Sequence, residues 1–478
     1  MNVPSPDFLA FSAVAALLYN ASRAIWWRRM VLLIANGLFL ASFSRDITAF
    51  LPFAGFLLLG YVAQQSTRNG RNRRLFPVLL IVTIAAFVWL KRYSFIPSAA
   101  FLPFPYLLIG LSYVFFRVVQ LIVDSAAGDV AEPVDPLSYL NYTLNFTSLV
   151  SGPIQRYQDY RAMEIEPLPL DLPVAGRALE RIIIGYFKVA ILSMLLSQAQ
   201  HDAIDALQGA ESFPDSVWLG VQIVALYPLY LYCNFSGYVD VVIGVARFFR
   251  IALPENFDRP FSAGNFLDFW SQWHITLSHW LKTYVFTPLM LLMMKRVTAP
   301  SLAPFLAVIA FFVTFFLVGI WHGQTSVFVV FGFLQGLGVS GNKLYQVLMA
   351  IWLGKKRYKE LAKNGLYHAV ARGLTFAWFA FTLIFFWGED WNRIDALGNA
   401  LGWAGGAAAL AAIWLIATVV LSLWEALRAR MLAFGGAGQS WVMSHYVRTA
   451  EATALAAVTL GILLLLNAPA PDIVYKAF

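Results

Sequence analysis

Two histidines stand in tryptophan-flanked apolar surroundings 48 residues apart: His274 in Phe269-Trp270-Ser271-Gln272-Trp273-His274-Ile275-Thr276-Leu277-Ser278, and His322 in Ile320-Trp321-His322-Gly323. An imidazole titrates near pH 6.5, so at neutral pH it can take a proton and give it back, which suits it to general acid–base work. Ionisable groups at membrane depth are costly and usually functional. A metal centre is not indicated, because the histidines do not form a His-x-x-x-His pair with an acidic helper. The single cysteine, Cys233, excludes an internal disulfide and a cysteine-ligated cluster.

The elements that must position these groups are membrane helices. Of 478 residues, 60% are hydrophobic and 13% charged, with a mean hydropathy of +0.67, whereas a soluble domain carries about 25% charged residues. Apolar runs of roughly 17 to 25 residues recur from end to end, and the strict alternation of a barrel strand is absent. The 34 basic residues outnumber 26 acidic ones, but they cluster in short loops between apolar runs, the mark of cytoplasmic loops and not of a nucleic-acid surface. Arg23, Arg28 and Arg29 follow the first apolar run instead of preceding it, so that run is expected to stay as a helix with its N-terminus outside, not to act as a cleaved signal. Spans at 30–44 and 47–63 then return Arg68, Arg71, Arg73 and Arg74 to the cytoplasmic side.

Further spans are expected near 75–90, 103–122, 178–199, 215–233, 301–320, 325–350, 372–388, 405–425 and 451–468, with partial ones near 137–152 and 235–252. The total is on the order of 11 to 13. Three stretches interrupt the pattern. Residues 151–173, dense in Pro, Arg, Asp and Glu, read as a cytoplasmic loop. Leu253-Pro254-Glu255-Asn256-Phe257-Asp258-Arg259-Pro260-Phe261, leading through Asp268 to His274, is too polar to span lipid and reads as a re-entrant or interfacial element packed against the bundle. Lys355, Lys356, Arg357, Lys359 and Lys363 read as a positive-inside loop that could also attract an acidic partner. No internal repeat is apparent, so residues 1–478 are expected to form one membrane domain.

Four motifs in order, Phe235-Ser236-Gly237-Tyr238-Val239-Asp240, Leu253 to Phe257, Asp268 to Trp280 and Trp321-His322-Gly323, resemble the membrane-bound O-acyltransferase family. The likeness is to its bacterial branch of alginate O-acetyltransferases and teichoic-acid D-alanyl transferases. Gly110-Leu111-Ser112-Tyr113 and Ser151-Gly152-Pro153-Ile154 reinforce it. The core of the likeness covers about residues 75–345, and the helices of about 370–470 resemble the family weakly. Two departures stand out: Ser271 and Gln272 follow Trp270 where family members often carry arginine, and Phe385-Phe386-Trp387 replaces the usual Phe-Phe-Arg. The resemblance implies an all-α polytopic fold with re-entrant helices around a central tunnel, in the inner or plasma membrane. It implies acyl transfer from a thioester to a hydroxyl, with His322 as the essential catalytic residue.

Physical reasoning supports that role for His322. A hydroxyl is a poor nucleophile at neutral pH; a neutral imidazole would take its proton as attack develops and could then protonate the leaving thiolate. His274 could position His322, donate to the developing oxyanion, or help hold the acceptor. Asp240 could orient a histidine or pair with Arg247 or Arg259. Asn256 and Ser278 are candidates to line the chamber, and Trp270, Trp273 and Trp321 to shape its wall. His279, about 140° around an ideal helix from His274, reads as structural, as do His201, His368 and His445.

The leading expectation is therefore an enzyme of exopolysaccharide O-acetylation. It moves an acyl group, acetyl first, from cytoplasmic acetyl-CoA or a phosphopantetheine carrier thioester to a cell-envelope polysaccharide or a periplasmic relay protein, with no bound cofactor. The alternative is D-alanyl transfer from an acidic carrier protein to teichoic-acid-like polymers. A proton-coupled transporter is a distant third, since paired intramembrane carboxylates and repeated halves are not evident.

Overall fold

The computed structural model describes residues 1–434 and 445–466, which form nineteen α-helices and, among the described residues, no strand beyond one isolated bridge. Helices α1 (Pro6–Asn20), α2 (Ile25–Ala41), α3 (Leu51–Thr67), α4 (Leu75–Leu90), α5 (Leu111–Ala127), α6 (Pro136–Thr143), α7 (Tyr157–Ile165), α8 (Leu172–Phe187), α9 (Met194–Leu207) and α10 (Phe213–Phe248) come first. They are followed by α11 (Phe266–Gln272), α12 (Ile275–Leu281), α13 (Thr287–Arg296), α14 (Ala303–His322), α15 (Ser326–Trp352), α16 (Lys355–Ala362), α17 (Gly365–Trp387), α18 (Trp391–Phe434) and α19 (His445–Leu466).

Seven stretches among the described residues are long and apolar enough to cross a membrane: Ile47–Gly70, Leu172–Leu207, Phe213–Phe248, Pro300–His322, Ser326–Trp352, Gly365–Trp387 and Trp391–Met431. The chain is an all-α, multi-pass membrane protein. Helices α1, α2, α4 and α5, counted in the larger expected number, run 15 to 17 residues. That is about 22 to 26 Å of rise, at or just under the short end of the range of about 17 to 25 residues that crosses a hydrocarbon core. The two spans expected at 215–233 and 235–252 are one helix, α10, which carries Pro228 inside it. The expected 451–468 span is α19 as far as Leu466; residues 467–478 lie outside the described part, as does the side chain of His445.

The described residues divide into two compact units, one of residues 1–191, 234–254 and 454–466, the other of residues 192–233, 255–434 and 445–453. In the first, Phe8, Phe39, Phe146 and Phe249 form a buried aromatic cluster. The partial span expected at 137–152 is the short helix α6 followed by buried irregular chain, and Arg117 on α5 explains how that chain is tolerated. Its guanidinium, 1% exposed, donates to the carbonyls of Tyr142 (3.2 Å), Thr143 (2.9 Å) and Ser148 (2.8 Å) and to Ser148 Oγ (2.7 Å). Buried carbonyls without partners would be expensive.

The Gly-Leu-Ser-Tyr and Ser-Gly-Pro-Ile motifs serve the same segment. Gly110 has φ 75°, and a side chain there would collide with Leu149; one at Gly152 would collide with Ser148. The stretch expected as a polar loop at 151–173 contains α7, whose Glu164 accepts from Ser138 Oγ (2.5 Å) and Tyr160 Oη (3.2 Å) and pairs with Arg161 (2.5 Å) and Arg29 (3.3 Å).

In the second unit the main feature is the α14–α15 hairpin. Gly319 and Gly332 meet across it so closely that a Cβ on Gly319 would overlap the Gly332 backbone. Small residues at such a crossing let helix backbones touch. Helices α17 and α18 pack beside each other through Phe376, Ala377, Ala380, Ala409, Ile413 and Ala417. Gly319→Val is expected to force the hairpin apart at a cost of about 1–3 kcal/mol, read as a lower unfolding midpoint in detergent; an unchanged midpoint would show that the close approach is not needed.

Candidate active site

The polar stretch before His274 is held by backbone pairing. Phe257 and Trp273 form an antiparallel bridge; Asp258 N–H donates to Gln272 C=O (2.9 Å) and Ile275 N–H to Asn256 C=O (3.0 Å). Asn265 caps α11 by accepting from Asp268 N–H (3.0 Å), so the chain turns back on itself through α11, and His274 joins α11 to α12. This short, self-paired excursion lies outside the stretches long and apolar enough to cross a membrane.

His274 sits at φ 45° and ψ 52°, a left-handed conformation that a residue with a side chain adopts only when its surroundings enforce it. Those surroundings are the pairing on both sides of it. Trp273, 1% exposed, packs edge-on to Phe257 and against Phe379 (5.1 Å between rings). Trp270 donates from Nε1 to Gln335 Oε1 (3.3 Å), and Gln335 Nε2 donates to Thr382 Oγ1 (2.9 Å), which ties the motif to α15 and α17.

Asn256 is fully buried, and its Oδ1 receives Thr276 N–H (3.1 Å) and Thr276 Oγ1–H (2.8 Å) and lies 3.3 Å from His274 Nδ1. The sequence suggests it as a chamber-lining residue, and its side-chain oxygen is turned to His274 and the start of α12. In sequence His274 falls between spanning stretches, and burial pushes its imidazole well below the ordinary histidine pKa, which disfavours the charged ring.

His322 ends α14. Its ring is 2% exposed and sits 5.8 Å from the Phe331 ring on α15, 5.3 Å from the Phe386 ring on α17 and 4.6 Å from the Trp321 ring. Gly323 is required beside it, because a Cβ at that position would enter the Phe328 ring. The two histidine segments thus share α17: Phe379 meets Trp273 and Phe386 meets His322, two helical turns or about 10 Å apart along the axis.

A cavity of about 310 Å³ is lined by Trp270 and Ser278 together with His279, Lys282, Phe286 and Thr314. His279, read from sequence as structural, therefore faces this cavity. Asp240 lies in the other unit, where it pairs with Lys188 (2.7 Å) and Arg181 (3.0 Å). Those are different partners from the Arg247 and Arg259 considered from sequence. Gln335, Thr382 and Phe331 are not singled out by sequence reasoning, and Phe386 enters it only as part of the Phe385-Phe386-Trp387 departure. Gln335, a lone amide in the apolar stretch Phe331-Gly332-Phe333-Leu334-Gln335, carries a signal that could have found it.

The membrane-bound O-acyltransferase family model matches residues 118–386, more than half of the chain, and the chain belongs to that family of acyltransferases. It is 27% identical over 289 residues to a teichoic acid D-alanyltransferase of Bacillus subtilis, covering 60% of this chain and 70% of the relative. It is 25% identical over 334 residues to a probable alginate O-acetylase of Pseudomonas aeruginosa, covering 65% and 60%. It is 32% identical over 213 residues to a peptidoglycan O-acetyltransferase of Helicobacter pylori, covering 44% and 38%. Two of these three matches thus span less than two thirds of the relative's length.

Gly323→Ala is expected to displace Phe328 and, with it, the His322 surroundings. A misplacement near 1 Å can cost about 10²-fold in rate, so acyl transfer should fall by up to that factor; transfer at the wild-type rate would mean the glycine does not position the imidazole.

Proposed function

We propose that the chain moves an acyl group, acetyl in the leading reading, from a cytoplasmic thioester to a hydroxyl of a cell-envelope polysaccharide or of a relay protein outside the membrane. The observation that carries this reading is the Trp-His-Gly imidazole at the end of α14, buried against Phe331 and Phe386 in a chain of this family. His322 takes the acceptor hydroxyl's proton as its oxygen attacks the thioester carbonyl. The carbon–sulfur bond then breaks and the proton passes to the leaving thiolate. An aromatic enclosure keeps water from competing for the thioester.

In this reading Trp270 and Ser278 line a cavity that takes part of a substrate, while Trp273 and Trp321 hold the walls. Asp240, balanced by Arg181 and Lys188, keeps its own helices in place. Acetyl-CoA and a carrier-borne phosphopantetheine thioester are the candidate donors. A D-alanyl donor is the second reading, favoured by the teichoic-acid relative and by α16. The Lys355, Lys356, Arg357 and Lys359 residues of α16 are all exposed, and their charge would suit an acidic carrier.

His322→Ala is expected to lower transfer from labelled donor by about 10²–10⁴-fold with expression and thermal unfolding unchanged; transfer near the wild-type rate would remove His322 as the base. Offering labelled acetyl-CoA and a D-alanyl-charged carrier protein to the same membranes decides the donor, since only one should be consumed. Replacing the four basic residues of α16 with glutamine should abolish carrier binding under the second reading and leave acetyl-CoA consumption intact under the first.

A further inference from the structure

We infer that Asn256 is a positioning residue that holds His274 in the tautomer protonated on Nδ1, so that His274 works through the lone pair on Nε2. The inference rests on the reading of His274 as part of the acyl-transfer site and assigns it one role among those the residue type allows.

The argument begins with the orientation of an amide. A backbone N–H can only donate, so the side-chain atom of Asn256 that faces Thr276 N–H at 3.1 Å is the oxygen. Thr276 Oγ1 donates to the same atom at 2.8 Å. An amide oxygen can only accept, and His274 Nδ1 lies 3.3 Å from it; that nitrogen therefore carries the hydrogen. In a neutral imidazole the second nitrogen then has none. Burial disfavours a second proton on the ring.

The backbone supports the same assignment. Ile275 N–H bonds to Asn256 C=O (3.0 Å), so the residue that sets the tautomer is also paired to the chain on the far side of His274. The left-handed turn at His274 brings its ring back over Asn256 rather than along α12. The Asn256 Nδ2 group, also buried, makes no hydrogen bond among the described residues, so the oxygen is the atom that fixes this geometry.

The chemical consequence is a choice of role. A neutral His274 with its proton held by Asn256 has none to offer a developing oxyanion. What it can do is accept a hydrogen bond from a hydroxyl, orienting the acceptor substrate or relaying its proton.

The test uses full-length protein in lipid, with nitrogen-15 in its six histidines and the His274 signals identified by their loss in His274→Gln. Expected in the wild type is a protonated Nδ1 and a bare Nε2; a protonated Nε2 with a bare Nδ1 overturns the inference. Asn256→Leu should shift the ring toward the other tautomer and lower kcat by about 10²-fold with little change in KM. Asn256→Asp, which keeps an acceptor oxygen, should keep Nδ1 protonated. Persistence of the Nδ1–H form in Asn256→Leu overturns the assignment to Asn256. Should Asn256→Leu fail to fold, Thr276→Val removes the competing Oγ1 donor and must leave Nδ1 protonated, and a switch there overturns the inference. Full transfer activity in His274→Gln alongside the expected nitrogen signals would sink the functional reading of His274 and leave the tautomer standing.

Discussion

Everything near the candidate site follows from one constraint: chain that leaves the helical state inside a membrane protein must find hydrogen-bond partners within the protein. The segment from Asn256 to Ile275 meets it by pairing with itself, through the Phe257–Trp273 bridge and the Asp258 and Ile275 amide bonds. Once that pairing is made, the left-handed backbone at His274 is enforced and the ring has one place to go. Arg117 meets the same constraint differently in the other unit, with one guanidinium serving the last two carbonyls of α6 and that of Ser148 beyond it. In both cases the polar group that looks expensive in sequence is what makes the irregular chain possible.

This division of labour separates residues that hold a site from residues that act in it. Trp273, Phe269 and Phe379 provide area and shape; Trp270, Gln335 and Thr382 provide a hydrogen-bonded brace across three helices. The aromatic residues need little else to be stable in apolar surroundings, whereas each amide or hydroxyl must be satisfied by a named partner. Asn256 belongs with the second group. Its oxygen serves α12 and His274 together, which makes the start of that helix and the state of the imidazole one structural decision.

Much of this was legible in the residues. Composition and apolar run length gave the helical membrane class, and the polar run at 253–261 announced an element that could not cross lipid. The two histidine motifs marked the candidate site because imidazoles are rare in such surroundings. Span counting was less secure, since hydropathy sees apolar length and not whether a helix is 15 or 25 residues long. That the two expected spans run on as the single helix α10 in spite of Pro228, and that α6 stops at Thr143 where Arg117 takes its last carbonyls, are outcomes of packing that no local pattern reveals. The same holds for Asp240: a carboxylate in an apolar run plainly needs a cation, but whether Arg181 and Lys188 or Arg247 and Arg259 provide it is decided by the packing of helices. Gln335 was visible as a solitary amide; its partners on α11 and α17 were not.

The glycine contact between α14 and α15 has a mechanical meaning. Where two helices touch through side chains, rotamer changes let them slide or rotate past one another; where they touch backbone to backbone, as at Gly319 and Gly332, there is nothing between them to rearrange. The hairpin then behaves as a single stiff strut with an imidazole fixed near one end. Any motion in this unit must then come from elements outside the hairpin, and the strut is the reference against which they move.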